Sequence, residues 1–245
     1  MRPTRLLLAI TALLLCSGCG TLQRKLLFHP THDQPANGLP EWRQGVRVIG
    51  YARTVPEPRN VWLLLHGNGG QAVYRSYALP CFAPDDSVYI LEYPGYGQRP
   101  GQPSRSSMNV AAHEAYELLR ASFPSTPVCV VGESIGTGPA CTLATAARPP
   151  DKIVLVVPFA ILRDVAGDHV PYLPAGLLVG DSWNNIESLK TYAGPLDIFA
   201  GKGDTIIPIR HAKALAASKP RAVFHAFDGG HNDWPYDGRV TISNP

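Results

Sequence analysis

Apolar runs recur along this chain and alternate with segments of helical pattern. The runs are continuous in Val, Ile and Leu, which is typical of strands that are buried on both faces. Because such strands lie in parallel sheets between helix layers, we predict an α/β fold with a mostly parallel, doubly wound sheet and helices on both faces. The predicted strands are Val46–Tyr51, Val61–Leu65, Ser87–Leu91, Val128–Val131, Ile153–Val157, Leu196–Ala200 and Ala222–Phe227.

The segments between these runs complete one domain, which we place at residues 41–245. A chain of 245 residues, 45% of them hydrophobic, is suited to a single well-cored domain. The stretch Phe159–Gly194 is richer in Pro, Gly and Tyr, and predicts a small cap over the carboxyl edge of the sheet, where α/β proteins bind ligands. The predicted helices are Met108–Ser122, with Ser106 or Ser107 as its N-cap, Gly136–Ala147 and Ile209–Ser218.

Ser134 follows one of the predicted strands inside the pentapeptide Gly132–Gly136. A serine hydroxyl is a weak nucleophile and gains access to substrate when it is held at a sharp strand-to-helix turn. Glycines at the two flanking positions allow the close backbone approach that such a turn needs. A bare Gly-x-Ser-x-Gly also occurs in ordinary glycine-rich turns, so the prediction that Ser134 is a nucleophile depends on its partners.

A glycine-rich loop, His66–Gly70, comes directly after the strand Val61–Leu65. A tetrahedral intermediate carries a negative oxygen, which needs hydrogen-bond donors that are already in place. We predict that these donors are the backbone N–H groups of Asn68 and Ile135. His66 is predicted to structure the loop, and a tight turn without a catalytic role is the alternative for the loop as a whole.

An acid and a base follow two later strands. Asp204 comes after the strand Leu196–Ala200, and His231 comes after the strand Ala222–Phe227. The chain order Ser134, Asp204, His231 is one in which Ser-His-Asp triads occur, and all three residues would project from one edge of the sheet. We predict His231 as the base and Asp204 as its acid partner. The competing acids are Asp228, Asp233 and Asp197.

The N-terminus has the features of a targeting segment. Arg2 and Arg5 precede a short apolar run, and the small residues Ser17 and Gly18 stand directly before Cys19. We predict a signal peptide at residues 1–18, lipidation of Cys19 as in bacterial lipoproteins, and a lipid-anchored tether at residues 19–40. Plain secretion and an uncleaved anchor are the alternatives. The expected location is the bacterial cell envelope, on the periplasmic side of the outer membrane, with the membrane surface as a partner.

Charge and cysteine usage exclude other classes. The net charge of +3 and a charged fraction of 17%, without a basic run, give no indication of a nucleic-acid partner. Cys129, in an apolar strand, and Cys141, in the helix after Ser134, are predicted to be small buried thiols. No Cys/His spacing indicates zinc, and we predict neither a metal nor an organic cofactor.

The chain resembles serine hydrolases of the α/β-hydrolase superfamily, in the small-lid branch that includes eukaryotic membrane-associated depalmitoylases and many bacterial hydrolases. The resemblance extends from about residue 26 to residue 233. Its motifs are His66–Gly70, Glu92–Gly97, Gly132–Gly138, Pro158-Phe159, Gly203-Asp204 with Pro208, and Gly230–Asp233.

This resemblance implies an α/β-hydrolase fold and the triad Ser134, Asp204, His231. It further implies hydrolysis of an ester, thioester or amide through an acyl-serine intermediate, and a loop at Tyr93–Tyr96 that borders the acyl site. The sequence departs from the family pattern in two places. The segment after His231 is short and contains Pro235, so a shortened C-terminus is expected, and Gln98–Gly101 replaces a stretch of small residues.

The sequence therefore favours a membrane-tethered esterase or thioesterase that acts on a small-molecule or lipid-like acyl substrate. A serine peptidase or amidase on the same scaffold is the second hypothesis. A lipoprotein that keeps the fold as a binding or scaffold module without catalysis is the third.

Overall fold

The structure, a computed structural model, describes residues 27–33, 38–169 and 182–244. The predicted signal peptide and Cys19 lie outside the described residues, as does part of the predicted cap, residues 170–181.

An eight-stranded sheet forms the centre of the described part of the chain. The strand order is β1-β2-β4-β3-β5-β6-β7-β8, in which β1 pairs antiparallel with β2, β2 pairs antiparallel with β4, and all later pairs are parallel. This arrangement confirms the predicted α/β class with a mostly parallel sheet. The strands are β1 (Glu41–Gln44), β2 (Arg47–Arg53), β3 (Val61–Leu65), β4 (Ser87–Leu91), β5 (Val128–Glu133), β6 (Ile153–Val156), β7 (Leu196–Gly201) and β8 (Val223–Phe227).

Helices and short 3₁₀ segments connect the strands. The α-helices are α1 (Arg105–Ser122), α2 (Thr137–Thr142), α3 (Leu162–His169), α4 (Asn185–Ser188) and α5 (Arg210–Ala217). The 3₁₀ segments are Ala72–Cys81, Ser134–Gly136 and Leu143–Thr145.

Helix α1 begins earlier than predicted. Ser104 is its N-cap, and the side chains and backbone N–H groups of Ser104 and Ser107 exchange hydrogen bonds of 3.0 Å in a reciprocal capping box. The predicted caps Ser106 and Ser107 are therefore wrong by two and three positions, because the capping serine is the first of three in a short serine-containing run.

The predicted helix Gly136–Ala147 is divided in the structure. Only Thr137–Thr142 is α-helical, and the chain tightens into 3₁₀ turns before and after it. The hydroxyls of Thr142 and Thr145 donate to the carbonyls three residues earlier, at 2.7 and 2.9 Å. Such side-chain bonds compete with the regular helical pattern and favour the tighter turn.

Both faces of the sheet are covered. Alternate residues of β3 show this, since Leu63 and Leu65 belong to one apolar cluster and Trp62 and Leu64 to the other. Helix α1 packs on the first face through residues such as Met108. The core is thus a pair of apolar layers that fix the sheet and hold its carboxyl edge rigid.

The chain after His231 covers part of the second face without a helix in residues 232–244. Trp234 is 1% exposed, and Val240 and Ile242 are buried in the same cluster. Ile242 also forms a bridge with Phe82. A segment of turns with one isolated bridge thus supplies the apolar cover at this position.

Residues 27–33 correct the predicted limits of the tether. Phe28 is 3% exposed within the core, and Pro30 forms a parallel bridge with Gly70. These residues therefore belong to the folded domain, and the predicted boundary at residue 40 is too late for them. The sequence pattern was misleading because their partners lie about forty positions further along the chain.

Candidate active site

Ser134 lies at the turn between β5 and α2. Its φ angle of 53° falls in the left-handed region that non-glycine residues rarely adopt. Gly136 makes this turn possible, because a Cβ at that position would lie 2.0 Å from the carbonyl oxygen of Leu65. A Cβ on Gly132 would lie 2.7 Å from the Cα of Thr137. The sheet and the helix thus meet too closely for any residue except glycine, and Ser134 is held in a strained, defined position.

The structure brings Ser134, His231 and Asp204 into one hydrogen-bonded chain. His231 Nε2 is 2.9 Å from Ser134 Oγ, and His231 Nδ1 is 2.7 Å from Asp204 Oδ2. The second oxygen of Asp204 accepts hydrogen bonds from the backbone N–H groups of Ile206 and Ile207, at 2.9 and 2.8 Å. With Asp204 fixed in this way, the imidazole presents Nε2 to the serine hydroxyl.

The competing acids are held elsewhere by other partners. Asp228 is paired with Lys202, Asp233 accepts the N–H of Gly230, and Asp197 is paired with Lys152, each at 2.8 Å. Asp204 is therefore the carboxylate among these four that contacts His231.

In the loop after β3, contacts with two side chains fix the orientation of the peptide group that joins Gly67 to Asn68. Its carbonyl oxygen lies 2.7 Å from His66 Nδ1 and accepts a 3.1 Å hydrogen bond from Arg75 Nη2. In a planar trans peptide the N–H points opposite to the C=O. The N–H of Asn68 is thereby directed away from Arg75, and His66 is fully buried beside the loop as a structural residue.

A buried carboxylate joins this loop to the turn that carries Ser134. Glu133 accepts the N–H of Gly67 at 2.9 Å, the hydroxyl of Tyr77 at 3.0 Å and the indole N–H of Trp234 at 3.2 Å. Burial opposes ionisation of Glu133, but the charge of Arg75 and these N–H donors outweigh it, and the net effect lowers the pKa of the carboxyl.

An apolar cavity of about 220 Å³ opens beside Ser134. Asn68 and Ile135, the two predicted oxyanion donors, lie at its wall together with Ser134. The remaining lining is aliphatic and aromatic apart from one histidine, and includes helix α3 of the predicted cap. These residues are Leu27, Phe159, Leu162, Val165, Ala166, His169, Ile206 and Ile207.

The aromatic loop Tyr93–Tyr96 packs against the loop His66–Gly70 and does not line this cavity. Both tyrosine rings are fully buried, the hydroxyl of Tyr93 donates to the carbonyl of His66 at 3.0 Å, and that of Tyr96 donates to Asn68 Oδ1 at 2.9 Å. The expectation that this loop borders the acyl site is therefore corrected, because its side chains point into the core.

Known proteins resemble this chain in sequence and fold. A family model described as the alpha/beta hydrolase fold matches residues 60–178. An uncharacterized protein of Mycobacterium tuberculosis H37Rv is 31% identical over 238 residues, which cover 90% of this chain and 84% of that protein. The lysophosphatidylserine lipase ABHD12 of Xenopus tropicalis is 28% identical over 193 residues, which cover 70% of this chain but only 50% of that protein.

A solved esterase structure from Pyrococcus furiosus superposes with a TM-score of 0.64 at 13% identity, over 86% of this chain and 91% of that one. This last likeness concerns the fold alone. The chain belongs to the α/β-hydrolase superfamily. The fold and its relatives support hydrolase activity.

Residues 27–33, 38–169 and 182–244 contain no group of three or more His, Cys, Asp or Glu side chains placed to hold a metal ion. Over the same ranges, none of the helices has the length and apolar character needed to cross a membrane.

Four residues that contribute to the site were not predicted from the sequence. Arg75 and Tyr77 lie in the 3₁₀ segment Ala72–Cys81, which no sequence pattern predicted. Glu133 stands next to Ser134, and its burial after an apolar strand was the available signal. Leu27 was assigned to the tether, although the apolar pair that it forms with Phe28 could have indicated packing.

Proposed function

We propose that this protein is a serine hydrolase that cleaves carboxylic esters or thioesters through an acyl-serine intermediate. The observation that carries the proposal is the hydrogen-bonded chain from Ser134 through His231 to Asp204. A serine without a catalytic role does not need these hydrogen-bond partners. A serine nucleophile requires a base at this distance and a group that orients the base.

The steps follow from the positions of the atoms. Ser134 Oγ attacks the carbonyl carbon while His231 Nε2 takes the hydroxyl proton. The negative charge moves to the carbonyl oxygen, where the N–H groups of Asn68 and Ile135 stabilise it. The C–O or C–S bond then breaks, and the leaving alcohol or thiol takes the proton from His231.

Water completes the cycle by the same route. It attacks the acyl-serine, gives one proton to His231, and releases the carboxylic acid and the regenerated serine. Asp204 stabilises the imidazolium of His231 that forms twice in each turnover.

The cavity supports an acyl substrate. When the apolar walls cover an acyl chain, the burial of each methylene group favours binding by about 0.8 kcal/mol. The ABHD12 relatives are named lysophosphatidylserine lipases, and this name is consistent with a lipid-like ester as the substrate class.

The test is hydrolysis of p-nitrophenyl butyrate and of a butyryl thioester by the wild-type protein and by Ser134→Ala. We expect the variant to lose about 10⁴-fold or more in kcat, because it lacks the nucleophile. The matched control is Ser122→Ala, at the exposed end of α1, which should keep wild-type turnover. Full turnover by Ser134→Ala would overturn the proposal.

We also propose that the protein acts at a membrane surface of the bacterial envelope, anchored through lipid on Cys19. The support is the arrangement of Arg2, Arg5, an apolar run and small residues before Cys19. Expressed in a bacterium, the wild-type protein should partition into detergent and carry diacylglycerol on Cys19, whereas Cys19→Ala should not. Mass spectrometry that finds an unmodified Cys19 in the mature protein would reject this location.

A further inference from the structure

The N-terminal segment Leu27–Asp33, here called the N-terminal strap, lies on the loop that supplies the proposed oxyanion donor. Gly70 donates its N–H to the carbonyl of His29 at 3.2 Å, and Thr31 donates its N–H to the carbonyl of Gly70 at 3.0 Å. Two backbone hydrogen bonds therefore fix the strap against the end of this loop.

The strap also holds the side chain of Asn68 from two directions. The amide Nδ2 of Asn68 donates to the carbonyl of Leu27, and Oδ1 accepts the N–H of His29 at 3.0 Å. Tyr96 donates its hydroxyl to the same Oδ1 at 2.9 Å. An amide with both ends occupied has little freedom to rotate, so the strap constrains the residue whose backbone N–H faces the substrate in the proposed mechanism.

The first residue of the strap reaches the cavity itself. Leu27 lies in the cavity wall together with Ser134 and Ile135. An acyl chain in that cavity would therefore contact the strap directly.

We propose that the N-terminal strap is a part of the active site: it positions Asn68 through the side-chain amide, and through Leu27 it forms one wall of the acyl cavity. This inference rests on the proposed function. It extends that function by assigning the side chain of Asn68 a positioning role and Leu27 a role in acyl-chain selection.

The positioning role is tested by Asn68→Ala, which removes all the side-chain contacts, and by Tyr96→Phe, which removes one donor and keeps the ring. We expect kcat for p-nitrophenyl butyrate to fall at least about 10-fold in Asn68→Ala and less in Tyr96→Phe, with KM within about 2-fold of wild type. Such a split is the result of losing an interaction made in the transition state. A lost oxyanion donor costs about 10²- to 10³-fold, which sets the upper limit.

The matched control is Tyr74→Phe. The hydroxyl of Tyr74 donates to Asp33 at the far end of the strap, at 3.0 Å, and its loss leaves the contacts of Asn68 intact. Its kcat should equal that of wild type. The positioning role is overturned if Asn68→Ala keeps wild-type kcat, or if KM alone rises.

The role in acyl selection is tested by Leu27→Trp, which fills part of the cavity. We expect kcat/KM for p-nitrophenyl octanoate to fall at least about 10-fold relative to that for the acetate, since an added ring occupies the space of several methylene groups. Val110→Trp, at an exposed position of α1, is the control and should leave this ratio unchanged. An unchanged ratio in Leu27→Trp would remove Leu27 from the acyl site.

If the wild-type protein hydrolyses no ester or thioester, the proposed function fails first. If wild-type turnover depends on Ser134 but the Asn68 and Leu27 variants behave as wild type, the inference about the strap fails alone.

Discussion

Glu133 is the residue that links the two halves of the proposed oxyanion site. It directly precedes Ser134, and its carboxylate accepts the N–H of Gly67 in the loop that contains Asn68. Arg75 lies 4.0 Å from this carboxylate and also donates to the carbonyl of Gly67. A single buried charge pair therefore fixes the spacing between the nucleophile turn and the donor loop.

The charge on Glu133 should make folding stability depend on pH. The folded-state pKa lies below the unfolded value of about 4.3, so the stabilisation is present in full above that value and is lost as pH falls through the folded pKa. We expect Glu133→Gln to lower the free energy of unfolding by about 3–5 kcal/mol at pH 7, since it leaves Arg75 buried without its counter-charge.

Urea unfolding of wild type and Glu133→Gln at a series of pH values measures this difference. It should shrink as pH falls below the unfolded pKa and through the lower folded-state pKa of Glu133, because the native carboxyl then becomes neutral as well. Asp228→Asn is the control, because that exposed carboxylate pairs only at the surface with Lys202. A difference for Glu133→Gln that stays constant down to pH 2 would show that the carboxylate charge contributes nothing.

At the scale of elements, the buried strands and the edge strand β8 were predictable, whereas the edge strand β1 was not. The predicted limits of β3 and β4 match the structure to the residue, because a strand that is buried on both faces has a nearly continuous apolar sequence. Strand β1 has the sequence EWRQ with Trp42 as its one buried residue. Strand β1 is stabilised by its pairing with β2 and by the contact of Trp42 with Tyr89, whose ring centroids are 5.0 Å apart. Neither interaction can be predicted from the local sequence pattern.

The N-terminal strap shows the same limit more clearly. Its residues predict no regular structure, and its hydrogen bonds are made with two loops about 40 and 65 positions away. Local periodicity carries no information on such pairings, whereas the chain order of Ser134, Asp204 and His231 was visible because each follows a recognisable strand.

At the scale of the whole molecule, the sheet brings four distant loops to one edge. Asn68 follows β3, Ser134 follows β5, Asp204 follows β7, and His231 comes after β8. The carboxyl ends of parallel strands meet on the same side, so the topology predicts that these residues converge. The sequence could name these residues, but the cavity, the role of Arg75 and the packing of Trp234 depend on side chains from segments that have no common sequence signal.

The central claim is that this convergence activates Ser134. The most direct measurement is mass spectrometry of the folded protein after treatment with a fluorophosphonate, which reacts with activated serines. We expect a single adduct on the peptide that contains Ser134, and we expect it to be lost in Ser134→Ala and after unfolding in urea. A folded protein that carries no adduct, or carries it on another serine, would contradict the account.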